Sequence, residues 1–214
     1  MSAFELTSEA PSSGAAQPTP LERAFYARDT LEIARELLGC RLVVERDGER
    51  LVGRITETEG YLGFADTACH SSHGRTPRTE VMFGPPGYAY VYLIYGIHDM
   101  LNLVVGPEDD PCAVLIRAIE PLEGEATMIA HRRGKKGREL ANGPGKLTQA
   151  LGITKARFNR HDVCLGDGLW VEPGEPIDDA DVVTGPRIGI DYAEPEHRDA
   201  PWRFLVKRRK TGRA

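Results

Sequence analysis

The chain has no CxxC pair, no apolar run long enough to cross a bilayer and no surplus of positive charge, and each gap removes a class of protein. Its four cysteines, Cys40, Cys69, Cys112 and Cys164, are scattered, the usage of reduced thiols in a cytoplasm and not of a disulfide framework. A membrane-spanning helix needs roughly 18 or more consecutive apolar residues, and no such run occurs, so no membrane association is expected. The N-terminus lacks the basic-then-apolar order of an export signal, which leaves a cytoplasmic location. A net charge of −5 argues against indiscriminate attraction to a polyanion. There is no internal repeat, and the GxxxxGK[ST] phosphate-binding pattern is absent.

What is present is an ordinary soluble composition, 41% hydrophobic and 28% charged over 214 residues, enough for one domain with a sizeable core. Residues 1–18, rich in Ser, Ala, Pro and Gly, read as a disordered leader, 19–206 as the folded domain and 207–214 as a basic tail. Basic residues cluster twice, in a loop (Arg132, Arg133, Lys135, Lys136, Arg138) and in the tail (Lys207 to Lys210, Arg213). Local patches of this kind can hold a phosphate backbone on an acidic protein, or simply be solvated loops.

Punctuation residues divide the domain. Asp29 with Glu32 forms a capping-box pattern ahead of Leu31, Ala34, Leu37 and Leu38, and Gly39 ends that helix. Two Val- and Leu-rich strands, 41–45 and 50–57, flank Asp47-Gly48, a hairpin turn signal. A second hairpin is expected over 88–105, with Tyr88, Tyr90, Tyr92 and Ile94 on one face and Tyr95 near the tip. Strands follow at 113–119, 169–171, 182–190 and 202–206, with helices over 123–133 and from Asn142 through Leu151. In the latter, Gly143-Pro144-Gly145-Lys146 at a helix start suits an anion such as phosphate, or is a plain helix start.

The chemistry is concentrated between Arg54 and Arg78. A strand carrying Glu57 and Glu59 stops near Gly60, placing a carboxylate at a strand end beside Tyr61. Such a residue is either a solvated edge group or a general base held by a rigid element. Cys69, His70 and His73 form a polar cluster in which a zinc site can be imagined, but no second ligand pair stands at a metal spacing. Arg117 lies inside an apolar run and needs a carboxylate partner. Four tyrosines between 88 and 95 exceed what core filling needs and make either an aromatic-rich sheet or a stacking platform for flat rings.

Taken in order, the blocks ETEGYLG, ACHSSHGRTPRT, MFGPPGYAYVYLIYGIHDMLN, AVLIRAIEP and GPGKLTQALGI resemble the alkyladenine (3-methyladenine) DNA glycosylase family of the mammalian type, over about residues 21–206. The resemblance implies an α+β fold, a single domain with a curved, mostly antiparallel sheet, surrounding helices and a protruding hairpin. It implies Glu59 as the residue that activates water, with Arg117 beside it and a backbone carbonyl near 187–190 holding the same water. Tyr61, His70 and Tyr92 would contact the flipped base, Asn102 would discriminate against guanine, and Tyr95 would fill the gap left in the duplex. Arg75, Arg78 and Lys146 are candidate phosphate contacts. No metal or other cofactor is implied. The implied partner is double-stranded DNA containing damaged purines, met by a monomer without an obligate protein partner, associated with the nucleoid in a prokaryote. Two departures stand out: Gly60 where alanine is common, and His98 where an aromatic stands in the mammalian enzyme. Two rival readings are a zinc-dependent hydrolase on Cys69, His70 and His73, and a non-catalytic nucleic-acid-binding module.

Overall fold

A computed structural model describes residues 19–207; the leader, and all of the basic tail except Lys207, lie outside the described residues. The architecture is built outward from one long strand, β2 (Glu49–Tyr61), which β1 (Arg41–Arg46) enters through a two-residue turn. Asp47 and Gly48 both adopt positive φ there, 52° and 79°, the conformation that lets the turn follow the strands' own twist. The remaining strands are β3 (Ala89–Ile94), β4 (His98–Val105), β5 (Cys112–Glu123), β6 (Leu169–Glu172), β7 (Val182–Gly185) and β8 (Arg203–Val206). Their order is β3-β4-β5-β2-β1-β6, and β8 pairs with both β2 and β7. Every pairing is antiparallel. β1 takes residues 49–54 of β2 and β8 takes Glu57–Glu59, so two strands share one edge of β2 while β5 runs along the other. The sheet curls, and its single domain with surrounding helices is of the α+β class the resemblance implies.

Alternation sorts the side chains onto two faces. Val91, Leu101, Leu103, Val114 and Ile116 meet the main core, where α1 (Thr30–Glu36) contributes Ile33 and Ala34. The same core takes Leu147, Ala150 and Leu151, which lie on the helix Pro144–Leu151. The opposite face carries Tyr90, Val104 and Ala113 under Val81, Met82 and Phe83, with Tyr61, Tyr88 and Tyr92 packed at its margin. The Asp29 carboxylate accepts the amides of Leu31 and Glu32, so the N-cap half of the expected capping box is formed. No helix among the described residues is long and apolar enough to cross a membrane.

Two irregularities position the site. Ile55 pairs with Ile119, Glu57 with Ala118 and Thr58 with Ile116, so the ladder passes over Thr56 on β2 and Arg117 on β5. An unpaired residue of this kind re-aims its side chain and bends its strand. The second is Gly60, whose face lies against α1. A Cβ there would come within 2.8 Å of Leu31 Cδ2, so Leu31 fills the space that alanine would take.

Two expectations from periodicity are corrected. The strand at 182–190 ends at Gly185, because Pro186 cannot donate to a ladder and the Ile188 amide is drawn to a carboxylate instead. The helix over 123–133 is Glu125–His131, since β5 continues through Glu123 and Gly124 turns the chain at φ 73°.

The Gly60 contact yields the first prediction. Gly60→Ala should cost about 1 kcal/mol by overpacking. In a Leu31→Ala background the same change should stabilise by about 0.4–1 kcal/mol, as a less flexible unfolded chain would. Urea unfolding of the four proteins in the cycle checks it, and additive effects would contradict the contact.

Candidate active site

Glu59 is fully buried, 0% exposed, in a sheet position where an ionised group is costly unless hydrogen-bonded. Three donors converge on it. Its Oε1 accepts the Ile188 amide at 2.8 Å, and its Oε2 accepts the Tyr61 hydroxyl at 3.0 Å and Arg117 Nη1 at 3.1 Å. Burial pushes the carboxyl pKa up from its ordinary value, against the opposing pulls of Arg117, the Ile188 amide and Tyr61. Burial likewise holds the Tyr61 phenol well above its ordinary range, so it stays a donor. The partner that Arg117 demands is doubled, because its Nε also donates to Glu57 Oε1 at 3.2 Å.

Register places the neighbours. Tyr90 faces Asn102, Asn102 faces Leu115, Leu115 faces Glu59 and Glu59 faces Arg203, one row across five strands with side chains on one face. At a strand spacing of roughly 4.8 Å, Asn102 lies two strands from Glu59. It is buried and donates to the Tyr90 carbonyl. His70 stands edge-on to Tyr92 with ring centroids 4.5 Å apart. Its Nε2 meets an Arg78 nitrogen at 3.3 Å and its Nδ1 meets the Tyr90 hydroxyl at 3.0 Å. Arginine only donates, so Nε2 accepts and the proton sits on Nδ1. Burial first, and the Arg78 charge second, lower the His70 pKa to about 4, which keeps the ring neutral. The cysteine and histidines of the segment have separate partners, and no group of three or more His, Cys, Asp or Glu among the described residues could hold a metal ion: Cys69 lies on Ser71 and Pro111, His70 on Tyr90 and Arg78, His73 on Ser72.

The tip of the β3–β4 hairpin is Tyr95-Gly96-Ile97. Tyr95 is 87% exposed and holds a φ of 53°, unusual for a non-glycine residue. Ile97 and Leu93 are exposed beside it. The candidate phosphate contacts are engaged within the chain: Arg75 with Glu80 and Asp109, Arg78 on His70 and over the Tyr92 ring, Lys146 with Asn142.

Sequence reasoning missed a second buried charge. Arg187 and Asp66 are both fully buried and joined by two bonds, with Nη2–Oδ1 at 2.8 Å. The guanidinium is layered between the rings of Tyr61 and Trp202, 4.5 and 4.9 Å from their centroids, and donates to the Gly60 carbonyl. It fixes the back of Tyr61 and carries the chain that delivers the Ile188 amide to Glu59. No local pattern announces a pair 121 residues apart; a lone arginine after proline was the available trace. Glu57, held between Arg117 and Arg203, was also missed. A cleft of about 1000 Å³ opens at Glu57 and Arg203, and its lining includes neither Tyr61 nor Tyr92.

Residues 24–210 match the family described as Methylpurine-DNA glycosylase (MPG). The chain belongs to this family. A relative from Methanocella arvoryzae is 52% identical over 188 residues, covering 87% of this chain and 92% of its own. One from Carboxydothermus hydrogenoformans is 48% identical, covering 89% and 96%, and one from Bacillus subtilis is 47% identical, covering 89% and 94%. Each bears the name "Putative 3-methyladenine DNA glycosylase". Membership brings with it the enzyme class, a DNA glycosylase acting in repair.

The burial of Glu59 yields a stability prediction. The folded chain holds the Glu59 proton more tightly than the unfolded chain does, so this group's contribution is lost as pH rises through the raised folded value. Glutamine cannot ionise. Glu59→Gln should therefore melt at a higher temperature than the parent at pH 7.5, with the gap closing as pH falls below the ordinary carboxylate value. Thermal melts across pH check it.

Proposed function

We propose that the chain is a monofunctional glycosylase that rotates a damaged purine out of duplex DNA and hydrolyses its N-glycosidic bond with a water activated by Glu59. The observation that carries this reading is a fully buried carboxylate, bound by Arg117 and Tyr61, on the sheet face that also bears Tyr90 and Asn102.

A base inside the stack is out of reach of any side chain, so it must leave. Extrusion costs a few kcal/mol, least for lesions that pair or stack poorly. Tyr95, presented at a hairpin tip and already exposed, offsets part of that cost by occupying the gap. Tyr61 and Tyr92 offer ring faces to the rotated base, neutral His70 contacts it without adding charge, and Asn102 tests its edge.

As the glycosidic bond breaks, positive charge grows on the sugar, and a carboxylate aimed at C1′ stabilises it. An ionised carboxylate offers about four acceptor positions, and the three donors named above take one on Oε1 and two on Oε2. Oε1 is thus the oxygen for a water proton. Arg117 favours the ionised form against the burial that opposes it. Because water is the nucleophile, the product is an abasic site and an intact strand. Lys146, the one amine of the segment singled out above, is turned to Asn142.

The test is base release from duplexes bearing 3-methyladenine, 7-methylguanine, hypoxanthine or ethenoadenine, with and without chelator. Glu59→Gln should lower single-turnover release by about 10²–10⁴-fold while lesion binding survives. The parent's rate should fall with acid through a value above the ordinary carboxylate range. Loss of binding in step with activity would assign Glu59 a structural role, and chelator sensitivity would favour the zinc reading. Borohydride should trap no covalent DNA adduct; a trapped adduct at Lys146 would overturn the choice of water as nucleophile.

A further inference from the structure

Glu59 does not own its arginine. Arg117 Nε is bonded to Glu57 and its Nη1 to Glu59, at 3.2 and 3.1 Å, so one guanidinium is divided between two carboxylates. Glu57 in turn receives Arg203 Nε at 2.7 Å on the same oxygen that Arg117 uses. The order Arg203–Glu57–Arg117–Glu59 is a row of alternating charges laid across β8, β2 and β5. Its two ends differ in surroundings. Glu59 is sealed, whereas the side chains of Glu57 and Arg203 are 18% and 23% exposed and line the cleft of about 1000 Å³. The bulge at Arg117 is what lets a single side chain reach both acids.

We propose that Glu57 and Arg203 are positioning residues that set how much of the Arg117 charge reaches Glu59, and so how strong a base Glu59 is. The proposal rests on the reading of Glu59 as the base. The charged and titratable groups that face Glu59 are Tyr61 and Glu57 on β2, Arg117 on β5, Arg203 on β8, Tyr92 on β3, and Arg187 with its partner Asp66. Arg187 is paired with Asp66 and also donates to the Gly60 and His197 carbonyls, with no bond to Glu59. Arg117 is the shared member, and Glu57 is the group that competes for it.

Opposite signs follow for the two ends. Glu57→Gln removes a competing negative charge and releases Arg117 to Glu59, which makes Glu59 a weaker base. Arg203→Gln strips Glu57 of its other cation, so Glu57 claims Arg117 more strongly and Glu59 holds its proton longer. Unit charges a few ångströms apart near a protein surface interact strongly enough to move a titration by roughly 0.5–1 pH unit.

The experiment is the pH profile of single-turnover base release from a hypoxanthine duplex by the full chain and its variants. Glu57→Gln should shift the acid limb down and lower the plateau by about 3–10-fold. Arg203→Gln should shift the limb up, and Arg203→Lys should return it toward the parent. Unchanged affinity for the lesion duplex reports intact folding. If Glu57→Gln does not fold, Glu57→Asp takes its place and should move the limb the same way by less. Limbs that stay put, or move together in one direction, overturn the proposal. A parent profile with no acid limb, or turnover by Glu59→Gln, instead overturns the reading of Glu59 beneath it.

Discussion

The fold is organised around keeping one negative charge out of water. An isolated buried carboxylate would simply take up a proton, since the penalty for stranding its charge exceeds what most contacts return. Here the charge is shared with a guanidinium, a phenol and a backbone amide drawn from three places in the chain: β5, β2 itself and the loop after β7. Each donor is itself held. Arg117 is fixed by Glu57, Tyr61 by the Arg187 cation on its ring, and the Ile188 amide by the Arg187–Asp66 pair next to it in sequence. The result is a carboxyl whose affinity for protons is raised by burial and restrained by its donors.

Much of this was readable from residue types alone, for identifiable reasons. Asp47-Gly48 and Tyr95-Gly96 mark their turns because positive φ is needed there. Glu59 stood out as a carboxylate at the end of a rigid strand beside an aromatic, and Arg117 as a charge in an apolar run with a debt to settle. The blind spots share one cause, long-range partnership. Nothing local to Asp66 announces Arg187, its partner 121 residues away. Val182–Ile190 has the composition of a strand, yet its second half leaves the ladder because Glu59 competes for the amide. Arg75 and Arg78 looked like free basic residues, whereas one is paired with two acids and the other lies on His70 and Tyr92.

The two sheet faces divide the labour. The helix-covered face supplies the apolar burial that stabilises the domain, and Gly60 shows how closely it is packed, with Leu31 resting where a methyl would stand. The other face spends polar residues. Asn102, Glu59, Tyr90 and Arg203 occupy one lateral row in which aliphatic residues would have been more stabilising. Such a concession is the usual signature of a surface kept for chemistry.

The edge of β2 that β1 and β8 share has a consequence for biosynthesis. β1 and the first half of β2 can pair as soon as they leave the ribosome, but Arg187, the Ile188 amide and Arg203 arrive 127 to 146 residues after the β2 positions they bind. Until then Glu59 has only the Tyr61 and Arg117 donors. A nascent chain therefore cannot complete the surroundings of Glu59 until the segment after β7, and then β8, have emerged.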